Sequence, residues 1–146
     1  MHPDPSLREV CAPVEGDRVA LAREMLDVMY AAKGRGLAAP QIGVMERLFV
    51  MDVSWKEGLP APRVFVNPEF VSMSGQQVNT EACLSIEGVT RKLARPARVR
   101  LAFDGLAFDG SIGRMEDDFM GFAAACVCHE MDHLDGRLIL DHPEVD

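Results

Sequence analysis

The sequence lacks several features that would assign it to a specialised class of proteins. It contains no uninterrupted apolar run of membrane-spanning length, and we expect no signal peptide at its N-terminus. It also has no long basic stripe, and its formal net charge is -8. We therefore expect neither a nucleic-acid partner nor a membrane. The four cysteines, Cys11, Cys83, Cys126 and Cys128, match no disulfide framework, which favours reduced thiols in a cytosolic setting.

What is present is an ordinary globular composition. The chain has 146 residues, of which 48% are hydrophobic and 26% are charged, and this is enough for one core. Because neither a linker nor a shift in composition divides the chain, the sequence predicts a single domain over residues 1–146.

The strongest motif lies near the C-terminus, where His129, Glu130 and His133 form an H-E-x-x-H pattern. Two histidines four residues apart lie on one face of a helix and can both reach one metal ion. Glu130 would then be the acid or base for a water bound to that metal. The alternative is a charged helical turn with two hydrogen-bonded histidines.

The motif needs a helix, and the apolar run over residues 119–128 predicts a buried one. Asp117 and Asp118 are placed where a helix N-terminus favours negative charge. Asp135 and Gly136 predict its end.

An earlier amphipathic helix is predicted over residues 19–32, where apolar side chains recur at helical spacing. Asp17 is its expected N-cap, and Gly34 and Gly36 follow its end. Residues 37–43 are predicted to form a loop of small residues that contains one polar side chain, Gln41.

Strands are predicted over residues 47–53, 63–67, 70–74 and 98–103, with Pro68 ending the second of them. Asp104-Gly105 and Asp109-Gly110 predict turns. The basic stretch over residues 91–100 is predicted to form a surface beside a strand. Cys11 and Cys128 are predicted to be small core residues.

A catalytic metal usually takes three protein ligands and keeps one position open, so two histidines are too few. Cys83, which lies at a predicted loop or strand end, is a candidate for the third ligand. A thiolate binds zinc or ferrous iron strongly. One cysteine and two histidines would suit a site that attacks a carbonyl group.

Three segments then occur in order: G-R-G-L-A-A-P-Q at 34–41, E-A-C-L-S at 81–85 and H-E-M-D-H at 129–133. Together they resemble the motifs of peptide deformylases, commonly written G-x-G-L-A-A-x-Q, E-G-C-L-S and H-E-x-D-H. The resemblance extends over nearly the whole chain. It implies an α+β fold with small antiparallel or mixed sheets around a central helix that contains the third motif.

The resemblance also implies a reaction, the removal of the N-formyl group from the first methionine of nascent chains, with release of formate. Cys83, His129 and His133 would bind one divalent metal, typically iron(II), with zinc or nickel as alternatives. A hydroxide on that metal would attack the formyl carbon, with Glu130 as the general base and acid. Gln41 and the backbone N–H of Leu84 would stabilise the oxyanion.

The expected partners are N-formylmethionyl peptides, which would add as a strand to the enzyme. This strand would pair with the backbone of Gly34, Arg35 and Gly36 on one side and of Glu81 and Ala82 on the other. The pocket for the methionine, or alternatively ordinary core, would be formed by Phe122, Ala125 and Cys126. Arg95 is the candidate partner of a structural ion pair with Glu81.

The sequence departs from the family pattern at several places. Ala82 replaces the usual glycine, and Glu87 adds a negative charge near the expected peptide cleft. Only a few acidic residues follow Leu140, so docking to the ribosome through a C-terminal helix is doubtful. The expected location is the cytoplasm of a bacterial or phage-infected cell, with an organelle left open.

Two other functions share part of this pattern. A zinc peptidase would also use H-E-x-x-H, although peptidases of that class more often take a carboxylate or a third histidine as the last ligand. A metal-dependent protein that binds formylated peptides without turnover would result if Ala82 and Glu87 have impaired catalysis.

Overall fold

The computed structural model describes residues 10–14, 18–83, 86–107 and 109–145, without the side chains of Cys83, Ile86 and Glu87. The expected N-cap Asp17 lies outside the described residues. Within them there are two α-helices, α1 (Val19–Ala31) and α2 (Phe122–Leu134). The strands are β1 (Gly36–Ala38), β2 (Leu48–Met51), β3 (Arg63–Ser74), β4 (Gln77–Cys83), β5 (Ile86–Arg95), β6 (Arg98–Leu106) and β7 (Ile112–Met120).

The strands form two sheets in which every pair is antiparallel. The larger sheet has the order β1-β2-β3-β6-β7, and the smaller sheet contains β4 and β5. Short 3₁₀ helices cover Ala39–Ile42, Trp55–Glu57 and Ile139–Asp141. None of the helices within the described residues is long and apolar enough to cross a membrane.

The larger sheet lies between the two helices, and β2 shows why. All four of its residues are buried, as expected for a strand that is covered on both faces. Leu48 and Val50 pack in the cluster that contains the buried face of α1, whereas Phe49 and Met51 pack in the cluster that contains α2. Because successive side chains of β2 point to opposite faces of the sheet, this one strand packs against both helices.

The core beneath α2 is largely aromatic. The rings of Phe49 and Phe65 are stacked with centroids 4.5 Å apart, and Phe103 lies 4.6 Å from Phe65. Burying a side chain of this size contributes roughly 1.5–3 kcal/mol. The helix side of this core is apolar and consists of Ala124, Val127, Cys128, Met131 and Leu134.

The smaller sheet has its own apolar contacts. Leu93 of β5 packs against Leu138 and Ile139, which follow α2. This arrangement places the edge strand β4 beside α2, and the edge strand β1 of the larger sheet also contacts α2. Two strand edges therefore flank the helix that contains the H-E-x-x-H motif.

The α+β class and the helix that contains the motif are confirmed, but the predicted start of α2 is wrong. Residues 119 and 120 belong to β7, which pairs with β6 at all nine of its positions. Asp117 and Asp118 do not lie at a helix N-terminus, because both belong to β7. Their carboxylates form ion pairs with Arg63 at 3.0 Å and with Arg100 at 2.8 Å. Gly121, with φ 59°, makes the break between strand and helix. An apolar run alone could not locate this boundary.

The predicted end of a strand at Pro68 is also wrong, because β3 continues to Ser74. The pairing register of β3 with β6 shifts by one residue between Val66 and Glu69. Asn67, at φ 48°, lies in this bulge and binds the backbone of Val14 through its side-chain amide. A bulge leaves one residue unpaired, so a proline is tolerated there.

Other predicted loops and turns need correction. Asp104-Gly105 is not a turn but lies within β6, and the hairpin closes beyond Leu106, near Gly110 at φ 92°. An added Cβ at Gly105 would lie 2.9 Å from the sulfur of Met115. This glycine therefore leaves room for the Met115 side chain and does not form a turn. The predicted loop over residues 37–43 is mostly β1 and a 3₁₀ helix.

Among the basic residues 91–100, Arg95 is not on the surface. It is only 5% exposed, and its carboxylate partners are described below. Cys11 and Cys128 are buried in the core under α2, as predicted.

Candidate active site

The H-E-x-x-H residues lie on the buried side of α2. His133 is 2% exposed and Glu130 is 5% exposed, and the rings of His129 and His133 have centroids 5.1 Å apart. Potential ligand atoms of His129, Glu130 and His133 all lie within 4.8 Å of one another. It is the one such group found among the residues that the structure describes.

Two predicted site residues can be placed only in part. Cys83 is the last residue of β4, two positions after Glu81, but its side chain lies outside the described residues. Leu84, the predicted backbone donor, lies outside them altogether. The metal and oxyanion roles of these two residues stay predictions.

A chain of buried polar contacts holds His129 in place. Its Nδ1 lies 2.9 Å from Oε1 of Glu81. Both oxygens of Glu81 accept hydrogen bonds of 2.8 Å from Arg95. Arg95 also donates to Asp132 at 2.7 Å, and His142 lies 2.6 Å from the same carboxylate oxygen. The predicted pair between Glu81 and Arg95 is therefore present, as part of a larger network.

This network fixes the protonation of Glu81. Burial by itself would raise the pKa of Glu81, but the hydrogen bonds from Arg95 and His129 lower it to about 2. An ionised carboxylate only accepts hydrogen bonds, so Nδ1 of His129 must carry the proton. In the neutral ring, the lone pair is then on Nε2, the nitrogen available to a metal.

Glu130 has the opposite environment. Burial raises its pKa to about 7, and the nearby His129 reduces this shift only partly. Among the described residues, none donates a hydrogen bond to the buried Oε1 of Glu130. Burial also lowers the pKa of His133 to about 3, so that its imidazole is neutral at ordinary pH.

Gly36 makes room for Glu130. A Cβ added at Gly36 would lie 2.5 Å from Oε2 of Glu130, closer than real atoms approach. Any larger residue would therefore displace this carboxylate. Gly36, the second glycine of the first motif, is thus part of the edge strand β1 and also leaves the space that the Glu130 carboxylate occupies.

Gln41 lies in the 3₁₀ helix that follows β1 and reaches the same cavity. Its Oε1 accepts a hydrogen bond of 2.9 Å from the backbone N–H of Ala38. Because a backbone N–H can only donate, this contact assigns the oxygen and leaves the amide NH₂ as the donor group.

These elements enclose a cavity of about 330 Å³ between the edges of β1 and β4, beside α2. All eight predicted substrate-binding residues line it, together with Gln41, His129 and Glu130. They are Gly34, Arg35, Gly36, Glu81, Ala82, Phe122, Ala125 and Cys126. Phe122 is 50% exposed and therefore is not core, whereas Ala125 is buried and still faces the cavity.

The sequence analysis missed four lining residues, namely Lys33, Lys56, Asn79 and Thr80. Lys33 and the pair 79–80 adjoin recognised motifs, so extending each motif by a residue or two would have included them. Lys56 adjoins no motif, and only the folded chain places it here. Asp132 and His142 were also missed, although Asp132 lies within the motif itself.

The wall that contains Gly34 is supported from behind. The indole N–H of Trp55 donates to the carbonyl oxygen of Gly34 at 2.9 Å. The hydroxyl of Tyr30 donates to the buried carboxylate of Asp52 at 2.6 Å, and the ring of Tyr30 packs edge-on against Trp55. Tyr30 before β1 and Trp55 after it thus hold the segment that leads into this strand.

Comparison with known proteins places this arrangement in a family. A sequence model described as polypeptide deformylase matches residues 1–145. The peptide deformylase of Alkalilimnicola ehrlichii is 43% identical over 145 residues, which cover 97% of this chain and 79% of that protein. The peptide deformylase of Afipia carboxidovorans is 46% identical, with 96% and 82% covered.

The fold agrees with the sequence. The crystal structure of a peptide deformylase from Legionella pneumophila superposes with a TM-score of 0.85 at 38% identity, covering 98% of this chain and 83% of that one. The resemblance seen in the three motifs is therefore confirmed. The chain belongs to the polypeptide deformylase family, and with it to a class of hydrolases that release formate.

Proposed function

We propose that this site removes the N-formyl group from peptides that begin with formylmethionine. The observation that most supports it is the cluster of His129, Glu130 and His133 at a cavity beside two strand edges. The names of the relatives indicate the same reaction. Each residue below has a proposed part in it.

The donor atoms suit a divalent metal. His133 is neutral because burial lowers its pKa to about 3, and the contact with Glu81 orients the ring of His129. Cys83 is proposed as the third ligand, since it ends the strand that also holds Glu81. When bound, the metal would supply a Lewis acid for the carbonyl and would acidify a water molecule. Iron(II) is the proposed native ion, with zinc or nickel as alternatives.

Glu130 is proposed to move the proton. A pKa of about 7 leaves a large fraction of the carboxylate ionised at neutral pH and still basic enough to accept a proton from water. The same carboxyl group can then return this proton to the departing amine. Such proton transfer typically contributes about 10²- to 10⁴-fold to the rate.

Gln41 is proposed to stabilise the negative charge that develops on the formyl oxygen. Its amide is held by Ala38, so its NH₂ group is oriented before the substrate arrives. A preorganised donor of this kind is worth about 3–4 kcal/mol of barrier. The N–H of Leu84 is the second proposed donor.

The substrate is proposed to lie extended between β1 and β4. Both are edge strands, so their outer backbone groups can pair with a peptide. The methionine side chain would enter beside Phe122, Ala125 and Cys126. Burial raises the pKa of the Cys126 thiol to about 12, so this wall stays uncharged. The proposed location is the cytoplasm, where formylated chains leave the ribosome.

The test is release of formate from formyl-Met-Ala-amide by metal-replete protein, with the unformylated peptide as control. Stoichiometric formate supports the proposal, and chelation of the metal should abolish it. Cleavage of longer peptides into internal fragments without formate would indicate a peptidase instead. Tight binding of the formyl peptide with no turnover would indicate a binding protein.

A further inference from the structure

The mouth of the cavity is positively charged, although the chain as a whole has a net charge of -8. Lys33, Arg35 and Lys56 all line it. Arg35 forms an ion pair of 3.0 Å with Glu57. Among the described residues, neither lysine pairs with a carboxylate. We call these three side chains the cationic rim.

Among the described side chains of the opposite wall, none balances this charge at the mouth, and the side chain of Glu87 lies outside the described residues. Asn79, Thr80 and Ala82, which line it along β4, are uncharged. Glu81 lies deeper and is paired with Arg95. As far as the structure describes the side chains, the exposed positive charge is therefore on one side of the cleft.

The backbone fixes Lys33 at this place. Lys33 has φ 59°, a conformation that glycine adopts easily and lysine rarely does. The N–H of Gly34 donates to the carbonyl of Met29 at 2.9 Å, which closes the end of α1 around Lys33. A non-glycine residue in this conformation, facing a cavity, is a reason to look for a function.

The rim is also tied together. The ammonium group of Lys56 lies 5.8 Å from the ring centroid of Trp55, and the indole of Trp55 binds the carbonyl of Gly34. The guanidinium of Arg35 lies 5.2 Å from the ring centroid of Phe122. Arg35 and Lys56 are thus each held near an aromatic ring, and the indole beside Lys56 also holds the residue that follows Lys33.

The geometry of β1 indicates which part of a substrate would meet this rim. Gly36 is next to Glu130, whereas Ala38 and Ala39 are fully buried, so an extended peptide can leave the reacting centre only toward Gly34. Because even a fully extended chain spans only about 3.3 Å per residue and the chain turns at Lys33, Lys33 lies at most roughly 10 Å from Gly36. The third residue of a formylated peptide would lie at about the same distance from its formyl group.

We propose that the cationic rim selects formylated peptides with a carboxylate at their third residue. This inference rests on the proposed function. The carboxylate can belong to an acidic side chain or to the C-terminus of a tripeptide. The acidic groups elsewhere on the protein oppose such binding weakly, since charges beyond about 10 Å are largely screened at 0.1 M salt.

The test compares formate release from formyl-Met-Ala-Glu-amide, formyl-Met-Ala-Gln-amide and formyl-Met-Ala-Lys-amide. We expect kcat/KM to fall in that order at 0.1 M salt, with the Glu peptide roughly twofold to fivefold above the Gln peptide. The gap should narrow at 1 M salt. A comparison of formyl-Met-Ala-Ala with its C-terminal amide shows whether a terminal carboxylate is recognised as well as an acidic side chain.

Variants identify the groups responsible. Lys33→Gln and Lys56→Gln should each lower the ratio of kcat/KM for the Glu and Gln peptides. Lys33→Glu should invert the order of the Glu and Lys peptides, an outcome that simple damage does not produce. Lys92→Gln is the matched control, because it changes the net charge equally at a position that does not line the cavity.

Two results would overturn the inference: equal kcat/KM for the Glu and Gln peptides, or a loss of preference in Lys92→Gln as large as that in Lys33→Gln. Equilibrium binding of the two amidated peptides to metal-replete Glu130→Gln protein measures the same preference without turnover. Failure of the wild type to release formate would contradict the proposed function, whereas equal binding would contradict the rim.

Discussion

Two glutamates, one buried and one largely buried, lie beside His129, and their environments differ. Glu81 accepts hydrogen bonds from Arg95 and from His129, and its pKa is about 2. Glu130 is at least as deeply buried, and its pKa is about 7. Burial raises the pKa of both, so the charged donors around Glu81 make the difference.

The two glutamates therefore suit different roles: Glu81 supports the position of His129, and Glu130 suits proton transfer. A carboxylate that stays ionised is a fixed anchor for an imidazole, whereas one with a pKa near 7 can exchange a proton at working pH. The chain thus uses the same residue type twice, at positions that lie on β4 and on α2. The following predictions test this difference, starting with the largest expected effect.

Glu130→Gln should reduce kcat by about 10²- to 10⁴-fold, because the amide cannot accept the proton. Its bound metal, measured in the same sample, should stay at the wild-type level. The matched control is Glu116→Gln on the exposed face of β7, which should retain wild-type activity. If the Glu130→Gln protein kept the wild-type kcat, Glu130 would not be the group that carries the proton.

Arg95→Met should destabilise the protein by roughly 3–5 kcal/mol, since it leaves two largely buried carboxylates, Glu81 and Asp132, without the guanidinium that pairs with both. The measurement is urea unfolding at pH 7. Arg100→Met is the matched control: Arg100 also pairs with two acidic residues but is exposed, so its loss should have little effect. Equal losses in both variants would contradict the role of burial.

The two glutamates should have opposite effects on the stability of the metal-free protein. The folded-state pKa of Glu81 is below its ordinary 4.5, so its contribution is present above pH 4.5 and is lost as the pH falls toward 2. The pKa of Glu130 is above 4.5, so folding becomes less favourable as the pH rises from 4.5 to 7. Each effect is roughly 3 kcal/mol.

Chemical unfolding at several pH values checks this. Glu130→Gln should be more stable than wild type at pH 8, with the advantage disappearing near pH 4. Glu81→Gln should be less stable than wild type at pH 7, and the deficit should shrink on acidification. The same direction of change in both variants would contradict the comparison.

Gly36→Ala should produce the smallest effect, a loss of about tenfold in kcat, because the new methyl group displaces the carboxylate of Glu130. Gly113→Ala is the control, since an added Cβ there meets nothing within 4 Å. Unchanged kcat in Gly36→Ala would show that the position of Glu130 is not so tightly set.

Much of the site could be predicted because its residues are close in sequence. His129, Glu130 and His133 share one helical face, and the pairing of Glu81 with Arg95 was expected from the resemblance to the family. Lys56 and His142 could not be predicted, because no local pattern marks them and only the folded chain brings them to the site. The assignment of residues 1–146 to one catalytic domain stays a prediction.

The fold was predicted where periodicity was unambiguous, as in α1. It was missed where an apolar run covers two elements: residues 119 and 120 end β7, and α2 begins only after Gly121. Pro68 misled for a related reason. A proline usually ends a strand, but a bulge at Asn67 lets β3 continue through it.

The most direct test of the account is to titrate the two carboxyl groups themselves. Carbon NMR of metal-free protein labelled with ¹³C at the glutamate carboxyl groups would follow both, with Glu81→Gln and Glu130→Gln providing the assignments. We predict that the signal of Glu130 titrates near pH 7 and that the signal of Glu81 is still ionised at pH 4. Titration of both groups between pH 4 and 5 would contradict the assignment of Glu130 as the base and of Glu81 as the ionised partner of His129.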